Sequence, residues 1–161
     1  HLGGRTFYDL AMQSGVDGAL IVDLPIDEAA ELTDQFPDNK LDIIRLVAPT
    51  SPKERMHYIA KNGAGFIYLI SQMGVTGKSN ADPQEVATLV KELKTATDVP
   101  ICVGFGISTA DDVRVMGKIA DGVIIGSAFE RIIADNLDQT PAVMAQKVGQ
   151  KVKEFRTALD E

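Results

Sequence analysis

Basic clusters, long apolar runs and paired cysteines are all missing from this sequence, and each absence closes off a class of function. The 161 residues carry 16 Lys and Arg against 23 Asp and Glu, a formal charge of −7 and an isoelectric point near 4.8. With no basic block to neutralise phosphates, the chain is expected to bind no nucleic acid. The longest apolar runs, such as 19–22 and 122–125, stop far short of the roughly 20 residues that span a bilayer, so no membrane partner is expected. A single cysteine, Cys102, cannot form an internal disulfide, which fits a reducing compartment and a cytoplasmic location.

Chemical motifs are equally scarce. HExxH, CxxC and GxSxG do not occur, and Gly77-Lys78-Ser79 lacks the upstream glycine of a Walker loop. Of the two histidines, His1 is terminal and His57 falls within a surface helix, where it is expected to be solvated rather than to act as a base. Metal centres and catalytic triads are therefore unsupported. The opening HLGGRTF has no charged segment followed by an apolar run, so it does not read as a signal peptide. His1 in place of Met agrees with a processed or truncated start.

What is present is an ordinary globular composition, 45% apolar and 24% charged. The length suits one domain with one core. It is short for a complete (β/α)₈ barrel of about 200 to 250 residues. Short apolar runs at 18–23 (GALIVD), 41–48 (LDIIRLVA), 65–71 (GFIYLIS), 99–103 (VPICV) and 122–125 (GVII) read as strands. Amphipathic stretches at 5–13, 26–35, 53–61, 84–95, 109–119, 126–134 and 141–159 read as helices. Asp27-Glu28 suits a helical first turn, Thr50-Ser51-Pro52 a cap with a proline, and Ser108 a cap. Strands apolar on both faces, alternating with helices, predict parallel βαβ units. Five such strands form either an open doubly wound sheet or part of a (β/α)₈ barrel.

Ligands in such folds sit at the carboxyl ends of the strands. Glycine concentrates at three of these ends: Gly74 and Gly77 around Val75-Thr76, Gly104-Phe105-Gly106, and Gly126-Ser127. Glycine lets backbone N–H groups approach an anion, and a following helix start adds partial positive charge. Two consecutive turns of this kind, GFGIS and GSA, match the phosphate site that barrels build after their last strands. Asp23 is the best-placed carboxylate for acid–base work, although it could equally cap the helix after Pro25. Tyr68 alternates toward the sheet interior, where it lines a pocket or fills core. Cys102 lies mid-strand as a core residue.

At these motifs the chain resembles the tryptophan synthase alpha chain family. The stretches are GVDGALIVDLP, LVAPTSPKER, GFIYLISQMGVTG, VGFGIS and DGVIIGSAF, in the family's order and spacing over nearly the whole chain. The resemblance implies a (β/α)₈ barrel, of which these residues form a C-terminal, single-domain portion with about five strands. It also implies retro-aldol cleavage of indole-3-glycerol phosphate to indole and glyceraldehyde 3-phosphate, with no cofactor in this chain and a beta chain as partner. It places the substrate phosphate on Gly77, Gly106, Gly126 and Ser127, and the indole among Leu20, Val22, Leu46, Phe105 and Ile107. Tyr68 and Thr76 would orient the catalytic aspartate, and GVTG would belong to a closing loop. Gln72-Met73 and Val22 depart slightly from the family's usual residues. The larger departure is that the family's catalytic glutamate and aspartate match no carboxylate here, so the isolated chain is expected to be inactive. A non-catalytic phosphate-binding or split-barrel assembly module is the alternative, and self-association through open sheet edges is expected. Other phosphate-gripping barrels, such as indole-glycerol-phosphate synthase or a phosphoribosyl isomerase, fit less well because GVTG precedes GFGIS.

Overall fold

The computed structural model describes residues 2–36, 38, 40–71, 82–104 and 106–161. Strands and helices alternate as α1 (Gly4–Gln13), β1 (Gly18–Leu20), α2 (Ala29–Thr33), β2 (Asp42–Val47), α3 (Lys53–Lys61) and β3 (Ile67–Ile70). There follow α4 (Pro83–Lys94), β4 (Ile101–Gly104), α5 (Ala110–Gly117), β5 (Gly122–Ile124), α6 (Ser127–Ala134) and α7 (Pro141–Asp160). The sheet order is β1-β2-β3-β4-β5 and every pairing is parallel. All five carboxyl ends therefore lie on one side of a curled half-barrel flanked by helices, as the alternation predicts.

The two faces of the sheet are not equivalent. Val47, Ile67, Leu69, Ile101 and Val103 are fully buried and pack on Val86, Val90 and Leu93 of α4, Val113 of α5 and Phe155 of α7. Val86, Val90 and Leu93 recur at the i, i+4, i+7 spacing that puts them on one helix face. The alternate positions Leu46, Tyr68 and Cys102, which share one register across β2, β3 and β4, are only half-buried. Apolar sequence on both faces thus corresponds to one sealed face and one partly open face. A smaller core joins Tyr8 and Ala11 of α1 with Phe36, Leu41 and Ile43.

Several ends differ from the sequence reading. β1 stops at Leu20 instead of 23, because the chain turns at Val22-Asp23 with the Leu24 N–H donating to the Ile21 carbonyl oxygen (3.2 Å). α2 starts at Ala29 and not at 26, since Glu28 and Ala29 donate three residues back to Pro25 and Ile26 in successive turns. Asp27 is drawn out of the helix start into an ion pair with Arg55 (2.6 Å). Thr50 and Ser51 do not cap α3: Ser51 closes a turn onto Ala48, and Pro52 is the cap residue without a side-chain bond. The cap of α5 is Thr109 and not Ser108. His57 is not simply solvated. It is paired with Glu92, which also takes Lys53 at 2.9 Å, so α3 is tied to α4.

Asp121 locks the amino-terminal end of the sheet. Its Oδ2 accepts the Ile101 N–H (2.8 Å), its own N–H donates to the Ile101 carbonyl oxygen (2.9 Å), and its Oδ1 meets Lys94 Nζ at 2.7 Å. The Ile101 amide first, and Lys94 second, hold the carboxyl below the usual carboxylate range. A carboxyl with a lower folded than unfolded pKa stabilises the fold above its unfolded pKa of about 3.9. That contribution is lost as pH falls through the lower folded value. Asp121→Asn should therefore cost about 1 kcal/mol at neutral pH and flatten the acid-side decline in stability. Urea unfolding from about pH 3 to about pH 7, a range that brackets the carboxylate titration, measures both, and an unchanged acid slope would refute the pin.

Candidate functional site

The site is built at the carboxyl edge, where β3, β4 and β5 hand over to turns. Ser71 clips the end of β3 to β4: its N–H and its Oγ both donate to the Gly104 carbonyl oxygen at 2.9 Å. Gly104 carries the ring of Tyr68, since a Cβ on Gly104 would meet the Tyr68 hydroxyl oxygen and Cε2 at 2.6 Å. The strand needs glycine here for room, and the ring that fills that room faces the half-open interior. Burial pushes the Tyr68 phenol up from its ordinary value, so it stays a protonated donor.

The next turn begins past Phe105, which lies outside the described residues, as do Thr76 and Gly77. Gly106 has φ 82°, in the left-handed region that favours glycine. Ile107 is buried in the main core and anchors the turn. The Ser108 and Thr109 N–H groups both donate to Asp112 Oδ2 (3.0 and 2.9 Å), and the Asp112 N–H returns to Thr109 Oγ1 (3.1 Å). Burial raises the Asp112 pKa, but these amides and the Thr109 hydroxyl outweigh it and hold the carboxyl low. The two amides are thus committed to a reciprocal cap. Anion-facing donors in this turn must come from before Ser108.

The register Gly104↔Ile124 sets the following turn beside it, with Gly106 and Gly126 each two residues beyond the paired positions. Gly126 is the cap residue of α6, and among the described residues no side chain caps the amides that open this helix. Gly126 and Ser127 are exposed, and a Cβ on Gly126 would meet nothing within 4 Å. Its φ of −118° is open to any residue, so glycine here provides access and not conformation. An uncapped helix start beside a glycine turn can hold an anion through backbone N–H groups.

The proposed pocket walls scatter more widely. Leu20, in register with Ile44, and Leu46, in register with Tyr68, lie on the interior face. Leu20 is 42% exposed. Val22 stands in the turn beyond β1, 71% exposed, and lines a cleft shared with Leu46. Asp23 is exposed in the same turn and caps no helix, because α2 begins six residues later with Glu28 as cap. Among the described residues no group of His, Cys, Asp and Glu is arranged to hold a metal, and no helix is long and apolar enough to cross a membrane. Sequence reading took Gly104 as part of a phosphate turn and missed its place under Tyr68. The signal was there in the register of two inward positions on adjacent strands.

A parallel half-barrel with glycine turns along its carboxyl edge defines a protein of the (β/α) barrel class. Comparison with known proteins narrows this. The family model of the tryptophan synthase alpha chain matches residues 1–160. An alpha chain from Desulfatibacillum aliphaticivorans is 52% identical over 136 residues, 84% of this chain and 51% of its own length. One from Acinetobacter baumannii is 44% identical over 160 residues, 99% of this chain and 59% of its own. Among solved structures, tryptophan synthase subunit alpha from Campylobacter jejuni superposes with a TM-score of 0.77 at 32% identity, covering 90% of this chain and 57% of that one. A chain of the tryptophan synthase a2b2 complex from Pyrococcus furiosus gives 0.80 at 33%, covering 96% and 61%. This chain belongs to the tryptophan synthase alpha chain family. It spans between 51% and 59% of the length of those curated relatives.

The two glycines predict opposite outcomes. Gly104→Ala drives a methyl into the Tyr68 ring and should cost about 1 to 3 kcal/mol. Gly126→Ala enters open space and should cost no more than about 1 kcal/mol as a cap change. Chemical denaturation of both variants decides it, and equal costs would overturn the packing of Tyr68 on Gly104.

Proposed function

We propose that this chain serves tryptophan biosynthesis as part of a tryptophan synthase alpha chain acting on indole-3-glycerol phosphate. The observation that supports it most is the pair of adjacent turns at Gly106 and Gly126-Ser127 on the carboxyl edge, in a chain of this family. In this reading the five βα units supply a C-terminal, single-domain portion of the barrel. The substrate phosphate is gripped by backbone N–H groups at Gly77, Gly106 and Gly126 and by the Ser127 hydroxyl. The indole rests against Leu20, Val22, Leu46 and Phe105, while Ile107, buried in the main core, holds the turn beside it.

The reaction is a retro-aldol cleavage. A base takes the indole N–H proton, an acid protonates ring carbon 3, and the bond from that carbon to the side chain breaks. As it breaks, its electron pair passes into the ring and the ring nitrogen takes back a proton to give indole, while the side-chain hydroxyl loses its proton to become the aldehyde of glyceraldehyde 3-phosphate. Tyr68 and Thr76 position groups around the ring, and no carboxylate of these 161 residues is assigned as acid or base. Losing a positioned acid or base costs about 10²- to 10⁴-fold each, so the chain by itself supplies grip and wall without proton transfer. It needs no cofactor of its own and acts in the cytoplasm. It docks on a tryptophan synthase beta chain, a reading supported by its likeness to a chain of the Pyrococcus furiosus a2b2 complex. β1 and β5 each have one strand neighbour among the described residues, and copies of the chain associate through these edges.

Three measurements test this. Inorganic phosphate should bind in calorimetry and lose all measurable affinity in Ser127→Asp, which sets a carboxylate against the anion; unchanged affinity would refute the site. The purified chain should release no indole from indole-3-glycerol phosphate, and an N-terminal barrel fragment of the same family should restore some release. Turnover by the chain alone that Asp23→Asn abolishes would hand the acid–base role to Asp23. Phosphate binding with no turnover even after the fragment is added would favour a non-catalytic binding module. Light scattering should show an oligomer, and a monomer would remove edge association.

A further inference from the structure

β1 and β2 separate early. Their register runs from Gly18↔Asp42 to Leu20↔Ile44, while β2 continues to Val47. Residues 21–26 swing away, and the gap they leave is a cavity of about 150 Å³. Its walls are apolar at Val22, Leu24, Ile26, Leu46 and Ile59 and cationic at Arg45 and Arg55.

The two arginines differ in what satisfies them. Arg55 is paired with Asp27 (2.6 Å). Arg45 has no ion pair among the described residues, and its Nε is buried with no hydrogen-bond partner. Burial lowers the Arg45 pKa from its ordinary value, yet a guanidinium stays protonated at neutral pH. Side chains alternate along a strand. Leu46 shares the interior face with Tyr68, whereas Arg45 is in register with Ile67, which is sealed beneath the helices. Arg45 therefore belongs to the helix side of β2, while the same cavity reaches Val22 and Leu46 of the proposed indole wall.

A buried cationic donor left unpaired is costly, and an anion removes that cost. A carboxylate suits the planar guanidinium edge, and its two oxygens can take Nε–H together with a neighbouring N–H. A cavity of this volume accommodates a benzene-sized body. The apolar walls favour a ligand that carries such a body over a bare anion.

We propose that the cavity between residues 21–26 and β2 binds a small monocarboxylate with an aromatic or branched apolar body, its carboxylate on Arg45. The body lies against Leu24, Ile26 and Ile59, and Arg55 borders the same cavity. This site is separate from the turns at Gly106 and Gly126 but borders Val22 and Leu46 of the proposed indole wall; carboxylate binding on Arg45 is read without turnover, so its failure and that of the proposed activity are told apart.

Benzoate, its neutral counterpart benzamide and inorganic phosphate are the probes, titrated into the whole 161-residue chain. Binding is read by calorimetry and by the Arg45 Nε–H resonance in nitrogen-15 spectra. Benzoate should bind in the low-millimolar range and move that resonance, with benzamide at least about tenfold weaker. Arg45→Met, which keeps the stem and removes the charge, should weaken benzoate by at least about tenfold. No benzoate binding, equal benzamide binding, or an unchanged affinity in Arg45→Met would overturn the proposal. Phosphate moving the Arg45 resonance as strongly as benzoate would also overturn it, as an anion site without an apolar subsite. Should Arg45→Met not fold, the benzoate and benzamide titrations of the unsubstituted chain decide by the same resonance.

Discussion

Val47, Ile67, Leu69, Ile101 and Val103 have no exposed surface, and they meet a helix layer led by Val86, Val90, Leu93 and Val113. This apolar contact is the constraint on which the other features depend. Each large aliphatic side chain buried there contributes about 1.5 to 3 kcal/mol. Because strand side chains alternate, fixing these positions toward the helices fixes Leu46, Tyr68, Cys102 and Gly104 toward the other face. A one-residue slip would exchange the two sets, so the sealed face also sets what the interior face can present.

Polar groups then hold the two ends of the sheet in different ways. At the amino-terminal end Asp121 joins Ile101 and Lys94, a closed arrangement with little left to offer a ligand. At the carboxyl end Ser71 fastens Gly104, and Asp112 takes the Ser108 and Thr109 amides. Gly126 and Ser127 remain exposed at an uncapped helix start. The contrast follows from what parallel strands do. Side chains at one end are free to tie strands together, and the turns at the other end direct their amides outward. Arg45 stands apart from both, its buried Nε without a partner among the described residues, beside the gap where β1 leaves β2.

Much of this was legible in the residues. Runs such as IIRLV and IYLI, separated by amphipathic stretches, are enough to place parallel strands and their helices, and α3 spans the same residues in sequence and structure. The turn at Gly106 was legible too, because its left-handed backbone leaves few residue choices besides glycine. The family was carried by the order of its motifs, which the match over residues 1–160 bears out.

Other features depend on groups far apart in sequence. Asp27 looks like a helix-start residue until Arg55 of α3 draws it away. His57 looks solvated until Glu92 reaches it from α4. Gly104 looks like part of an anion turn until Tyr68 lies across it, and nothing local marks Arg45 as unpaired. Local pattern determined the strands, the helices and the turns, since apolar period and backbone freedom are properties of neighbouring residues. Which polar groups find partners, and which face of the sheet stays open, was decided only by packing, because those energies belong to contacts between strands and helices that the chain brings together on folding.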